Sequence, residues 1–147
     1  MSSTPDSVPV DDATIDGDEF ALRRVHHSLA ASGKPDSSIF RDDPGGIGTS
    51  VTLWRSPADL VAVTKDRPEV GVVAITVAQF RELGLGITFT FEDGNPNHCE
   101  VFGPRTKGKM RALRELVRWV RYPTPFPDDA KAPVFDLYPQ PDGLSGA

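Results

Sequence analysis

Alternating polar and apolar residues mark the middle of the chain, from about residue 20 to 122, as its folded part. Residues 49–54 alternate in this way, and residues 87–92 do so again, which predicts a strand at each place. The turn residues 93–96 then allow residues 98–102 to return as a paired strand. The continuous apolar run 72–75 is typical of a strand that is buried on both faces.

Three helices are predicted from start signals and periodicity. Ser56 and Pro57 can open the first helix, and Thr76 with Gln79 forms a capping box for a short second one. The third is predicted from about Thr106 to Arg121, because its apolar residues share one face at 100° per residue. Those residues are Met110, Leu113, Leu116, Val117 and Val120.

These elements predict an α+β fold in the order β-α-β-α-β-β-α. We expect a small mixed or antiparallel sheet with a β-hairpin and a long C-terminal amphipathic helix packed on it. Residues 1–19 carry six acids and no base and are predicted to be a disordered acidic tail. Residues 20–122 form the predicted compact domain, and residues 123–147 a Pro-rich acidic tail. The apolar residues of that second tail can dock on the domain or on a partner: Phe126, Val134, Phe135, Leu137 and Tyr138.

The charge, the cysteine content and the hydropathy of the chain exclude several classes of protein. The chain has 147 residues and a net charge of -5. Cys99 is the single cysteine, which excludes an internal disulfide framework and a multi-cysteine metal site. No apolar run approaches the roughly 20 residues of a membrane span, and the acidic N-terminus is unlike a signal peptide. We therefore expect a cytoplasmic protein without a membrane partner.

The predicted last helix concentrates positive charge. Lys107, Arg111, Arg114, Arg118 and Arg121 follow helical spacing and form one basic stripe, to which Arg105 and Lys109 add. We interpret this stripe as the binding surface of a non-enzymatic interaction module for a negatively charged partner. An acidic protein surface is favoured over nucleic acid, since no aromatic residues are interleaved with the bases. The competing interpretation is a solvated face that the acidic tails neutralise.

The segment Gly103–Lys109 fits the pattern G-x-x-x-x-G-K, after a predicted strand and before a helix. Met110 stands where a phosphate loop offers a hydroxyl to Mg²⁺, and Pro104 removes a backbone donor. These two residues argue against nucleotide hydrolysis. Simple anion capture and a plain connector remain as interpretations.

His98 and Glu100 share one face of their predicted strand, while Cys99 points to the other. His98 and Glu100 can act as a general acid–base pair or be an ordinary surface pair. Cys99 is expected to be a small buried residue rather than a nucleophile. We expect no metal site, because His26 and His27 cannot both face one ion.

A second interpretation is enzymatic. An Arg or His on an early strand, a Thr-Ser pair opening a second strand and a Glu on a late strand resemble ADP-ribosyltransferase-like folds. The matching residues are Arg23, Arg24 or His26, then Thr49 and Ser50, then Glu100. The resemblance implies NAD as cofactor, held by the early residue, with Ser50 bracing the nicotinamide and Glu100 stabilising an oxocarbenium ion. In this interpretation Arg23, Ser50, His98 and Glu100 are the catalytic candidates, and the Gly-rich loop at 42–48 borders the pocket.

A third interpretation is a structural subunit that assembles through its C-terminal tail.

Overall fold

The computed structural model describes residues 11–131, 133–135 and 137. Six strands and three α-helices lie in this part of the chain. They are β1 (Phe20–His26), β2 (Thr49–Leu53), α1 (Pro57–Thr64), β3 (Val70–Thr76), α2 (Val77–Glu82), β4 (Gly86–Phe89), β5 (His98–Phe102), α3 (Lys107–Leu116) and β6 (Arg118–Arg121). Short 3-10 turns cover His27–Leu29, Ser37–Phe40 and Asp128–Ala130. Within the described residues, no helix has the length and apolar character needed to cross a bilayer.

The strands form one six-stranded sheet in the order β4-β5-β2-β1-β3-β6. Every neighbouring pair is antiparallel. The longest pairing joins β1 to β3, from Phe20 opposite Thr76 to His26 opposite Val70. The α+β character is therefore present, but the sheet is larger than predicted and is antiparallel throughout.

Helices α1 and α2 begin at the predicted residues. Asp59 Oδ2 accepts hydrogen bonds from the backbone N–H groups of Arg55 at 2.7 Å and Ser56 at 2.8 Å. Thr76 Oγ1 accepts from Gln79 N at 3.1 Å, and Gln79 Oε1 accepts from Thr76 N at 2.9 Å. These side chains satisfy the N–H groups that a helix start leaves without partners.

The prediction of a long C-terminal helix is wrong. Helix α3 ends at Leu116, Val117 is extended, and β6 pairs with β3 through Trp119 opposite Val73. Consequently Trp119 packs against the larger core, whereas Val120 packs against the smaller one. The expected single apolar face, from Met110 to Val120, is divided between two faces of the sheet.

Each face of the sheet carries its own core, because side chains alternate along every strand. The larger core includes Val51, Val73 and Cys99 from the strands, with Phe80 of α2 and Leu113 of α3. On the opposite face, Leu22, Val72 and Ala74 pack against Val63 of α1 and against Leu137. Both faces of β1 are covered, since Ala21 and Leu22 are each fully buried.

Parts of both expected tails pack against the sheet. Ile15 is fully buried, and Arg81 donates to the carbonyl oxygens of Asp12 and Ile15 at 2.9 and 2.8 Å. Near the other end, Phe126 is buried against Trp119. The backbone N–H of Phe135 donates to the carbonyl of Trp119 at 2.7 Å. The outer parts of these tails, residues 1–10 and 138–147, lie outside the described residues. Tyr138, one of the apolar residues expected to dock, is among them.

Candidate functional site

Helix α3 lies beside the turn Ser37–Phe40, and two depressions of about 230 and 450 Å³ open along their boundary. Asp36, Ser37 and Arg111 line both depressions, so the two form one continuous surface. We name this surface the basic groove after its five cations: Lys34, Arg41, Lys107, Arg111 and Arg114.

Three of these cations have no partner. The side chains of Arg41, Lys107 and Arg111 are exposed, and they make no hydrogen bond or ion pair with any residue that the structure describes. Lys107 and Arg111 are one helical turn apart on α3, while Arg41 follows the turn that packs against this helix. The fold thus brings unpaired positive charge from two distant segments to one place.

The remaining groups of the groove are already engaged. Lys34 Nζ lies 2.5 Å from Glu115 Oε1, and this hydrogen bond lowers the pKa of the Glu115 carboxyl. Arg114 Nε donates to the carbonyl of Pro35 at 2.7 Å. The carboxylate of Asp36 accepts from Ser38 N at 2.8 Å, and the hydrogen bonds from Ser38 lower its pKa. Both carboxylates are therefore ionised at neutral pH. Neither forms an ion pair with the three exposed cations, although the charges of Arg114 and Arg41 also lower the pKa of Asp36.

Four of the basic residues proposed from the sequence lie away from the groove. The side chain of Arg105 is only 6% exposed, pairs with Asp42 at 2.8 Å and donates to the carbonyls of Val101 and Gly103. Burial lowers the pKa of its guanidinium. Lys109 extends toward Gly84. Arg118 stacks 3.7 Å from the Phe135 ring centroid, and Arg121 reaches the carbonyl of Arg67. The end of α3 at Leu116 explains why the last two do not continue the stripe.

The sequence analysis missed Lys34 and Arg41. Both lie in the irregular stretch between β1 and β2, about 70 residues before α3. No local pattern links them to the helix. The contact between α3 and the turn Ser37–Phe40 is a product of the tertiary fold.

The candidates of the enzymatic interpretation are brought close together in part. Ser50 lies directly opposite Glu100, and Thr52 directly opposite His98, in the β2–β5 pairing. Arg23 lies opposite Val73, which belongs to the larger core on the other face of the sheet. Alternation along the strands therefore places the side chain of Arg23 on a different face of the sheet from the side chains of Ser50, His98 and Glu100.

Arg23 and Glu100 both hold the Gly-rich loop at 42–48. Arg23 donates to Asp43 Oδ1 at 3.1 Å and to the carbonyl of Ser50 at 3.0 Å. Glu100 is 8% exposed, and its Oε1 accepts from Ile47 N at 2.5 Å and from Gly48 N at 2.7 Å. Since these contacts use the charged ends of both side chains, they favour a structural role for the two residues over the holding of NAD.

The loop contacts also set the charge of Asp43. Burial alone would raise the pKa of this carboxyl. The hydrogen bond from Ser50 N at 2.7 Å and the charge of Arg23 outweigh that effect, so the pKa lies below its usual value. Burial likewise lowers the pKa of Arg23, which Asp43 partly offsets. The pair is therefore ionised at neutral pH.

His98 and Cys99 point to opposite faces, as their neighbouring positions require. His98 Nδ1 lies 3.0 Å from the carbonyl of Thr90 and Nε2 lies 3.5 Å from Glu92 Oε1. The hydroxyl of Thr90 lies 2.9 Å from the same Nδ1, so Thr90 holds the Nδ1 side of the ring while Nε2 faces Glu92. Cys99 is buried, and burial raises the pKa of its thiol to about 12. A thiol with such a pKa is not a nucleophile at neutral pH.

No group of His, Cys, Asp and Glu suited to hold a metal ion occurs among the described residues. Comparison with protein-family models, with curated proteins and with solved structures found no match for this chain.

Proposed function

We propose that the chain is a binding module whose basic groove recognises a negatively charged segment of a partner protein. One observation carries this proposal: Arg41, Lys107 and Arg111 converge on one groove in a protein whose net charge is -5, and Asp36, the one carboxylate among the described residues that line the groove, forms an ion pair with none of them.

Like charges that lie close together repel one another unless a counter-charge is near. The chain has more acidic than basic residues, so it has carboxylates that could have neutralised these cations. Asp36 stands in the groove but is turned to the N–H of Ser38. A bound anion would relieve the repulsion and accept hydrogen bonds from the three cations. The hydroxyls of Ser37 and Ser38 line the same surface and add uncharged donors.

An acidic protein segment is favoured over nucleic acid as the partner. Among the described residues that line the groove there is no aromatic ring on which a base could stack. Carboxylates or phosphates on a peptide need only the charge-assisted hydrogen bonds that Arg and Lys supply.

Salt-dependent binding of the full chain to poly-L-glutamate tests the proposal, with Arg111→Gln as the variant. Its matched control is Arg24→Gln, which also removes an exposed arginine without a partner among the described residues, but from β1 on the other side of the sheet. We expect Arg111→Gln to weaken binding about fivefold, corresponding to roughly 1 kcal/mol for an exposed charge pair. Arg24→Gln should bind as the wild type does.

Equal binding by the two variants would show that the groove is not the binding surface. A parallel titration with single-stranded DNA tests the partner class. If DNA binds more tightly than polyglutamate at the same salt concentration, the groove serves nucleic acid and the protein partner is the wrong choice.

A further inference from the structure

A second cavity lies on the opposite side of the sheet from the basic groove. Its volume is about 360 Å³, which suits a small molecule. Strands β1, β2 and β5 form its floor with Leu22, Ser50, Thr52 and His98. We name it the sheet pocket.

Opposite charges stand on its two sides. Arg24 and Lys65 line one side, and both are exposed and without a partner among the described residues. Glu92 and Asp93, from the connection between β4 and β5, line the other. No ion pair joins the two sides within the described part of the chain. Strands β1 and β5 flank β2 and are therefore roughly 10 Å apart, given the usual spacing of neighbouring strands.

The polar groups of the floor are held in place. The contact of His98 Nδ1 with Thr90 orients the ring and leaves Nε2 beside Glu92. Asn95 Nδ2 donates to Thr52 Oγ1 at 2.9 Å, while Asn95 Oδ1 is buried without a partner among the described residues. This oxygen is closed off from solvent, so it does not belong to the open surface of the pocket.

Lys65 reaches the pocket from a strained backbone. Its φ is 47° and that of Asp66 is 61°, so two successive residues with side chains adopt the left-handed conformation. A left-handed residue after the last turn is a common way for a helix to end, and the N–H of Lys65 donates to the carbonyl of Val61 at 2.8 Å. The end of α1 therefore sets where Lys65 lines the pocket, on the same side as Arg24.

We propose that the sheet pocket binds a small zwitterion, of amino-acid to dipeptide size. Its carboxylate pairs with Arg24 and Lys65, and its ammonium pairs with Glu92 and Asp93. A ligand with both charges fits this division of the pocket better than an anion or a cation, because either of those leaves one charged side without a partner.

NMR titration of the isotope-labelled full chain tests this proposal. The probes are free amino acids and unblocked dipeptides. Each is compared with its N-acetyl form, which lacks the ammonium, and with its carboxamide form, which lacks the carboxylate. We expect a zwitterion to shift the amide signals of residues 50–52, 92–95, 97 and 98, and either block to weaken binding about tenfold.

Two variants locate the site. Arg24→Gln and Glu92→Gln each remove one charge from an exposed side chain and should weaken zwitterion binding about tenfold, with an otherwise unchanged spectrum. Lys131→Gln, which removes the charge of an exposed lysine outside both the sheet pocket and the basic groove, is the matched control and should leave it unchanged. The proposal is overturned if blocked and unblocked probes bind equally, if both pocket variants bind as the wild type does, or if no probe shifts these signals at millimolar concentration.

Discussion

Lys65→Gly separates the stability of the chain from the chemistry of the sheet pocket. Lys65 follows α1 with φ 47° and ψ 44°, and its N–H donates to the carbonyl of Val61 at 2.8 Å. A left-handed conformation costs a residue with a side chain about 1–2 kcal/mol. Glycine avoids this cost but loses about 0.5–1 kcal/mol through its greater freedom in the unfolded chain. Lys65→Gly should therefore raise the free energy of unfolding by about 0.5–1 kcal/mol, because the backbone hydrogen bond to Val61 is kept.

Urea denaturation followed by tryptophan fluorescence measures this gain, and a melting curve should show a rise of roughly 1–4 °C for a chain of this size. The same variant should lose zwitterion binding, since it removes a charge from the pocket. Two control variants separate the effect on stability from the effect on binding. Lys65→Gln keeps the strain, so it should lose binding without gaining stability. Asp66→Gly relieves the strain at φ 61°, so it should gain stability and keep binding.

A Lys65→Gly protein that is less stable than the wild type would refute the reasoning from strain. If Lys65→Gln bound the zwitterion as the wild type does, the charge at this position would have no part in binding. The gain in stability could then still hold, because it depends on the backbone alone.

Three further predictions concern the loop and strand β5. Glu100→Ala leaves the N–H groups of Ile47 and Gly48 without their buried acceptor and should destabilise the fold by about 2–5 kcal/mol in urea denaturation, whereas Glu100→Gln, which keeps an acceptor, should cost less. Because the pKa of Asp43 is lowered in the folded state, its contribution to stability is present above the unfolded value near 3.8 and is lost as the pH falls through the folded value. Urea denaturation between pH 6 and 2 should therefore show a smaller acid-induced loss for Asp43→Asn than for the wild type, and identical losses would contradict this. Cys99, with a pKa of about 12, should resist iodoacetamide at pH 8 in the folded protein and react once urea unfolds it, as mass spectrometry can show.

The local sequence was sufficient to predict those helices and strands whose capping residues or alternation of polar and apolar residues lie within the element. Helices α1 and α2 begin at the predicted capping residues, and β2, β4 and β5 lie where polar and apolar residues alternate. In α1 and α2 the capping side chains lie within the first residues of the helix, and β4 and β5 are paired across a short connection. Propensity and tertiary structure therefore favour the same conformation.

Strand β6 shows why the last helix was predicted wrongly. Residues 116–121 place Leu116, Val117 and Val120 at helical spacing, but Val117, Trp119 and Val120 also favour an extended strand. The local sequence is compatible with both. The deciding contribution is the edge of β3, whose backbone groups from Val72 to Ala74 pair with this segment. That edge lies more than 40 residues away in the sequence, so the periodicity of the segment alone could not reveal it.

The candidate sites depend even more on the tertiary fold. Only Lys107, Arg111 and Arg114 of the basic groove follow from helical spacing, whereas Lys34 and Arg41 reach it from an irregular segment. In the sheet pocket, the sequence analysis placed His98 on a polar strand face. Lys65 and Asn95 come from turns whose approach to that face is set by packing. Spacing along one element predicts which of its residues share a face, but it does not predict which other segment of the chain covers that face.

The overall acidity of the chain does not contradict an anion-binding groove. At physiological salt an exposed charge acts over about 8 Å, so a bound partner senses the groups lining the groove rather than the net charge of -5. Many of the acids lie elsewhere, as at residues 11–19, where Asp11 pairs with Arg81 and Glu19 with Arg55.

The sheet with its two cores also separates the groove from the sheet pocket, since packed layers are about 10 Å apart. Charges on one surface are therefore largely screened from the other, and a change at Arg111 or Arg24 reports on its own surface alone.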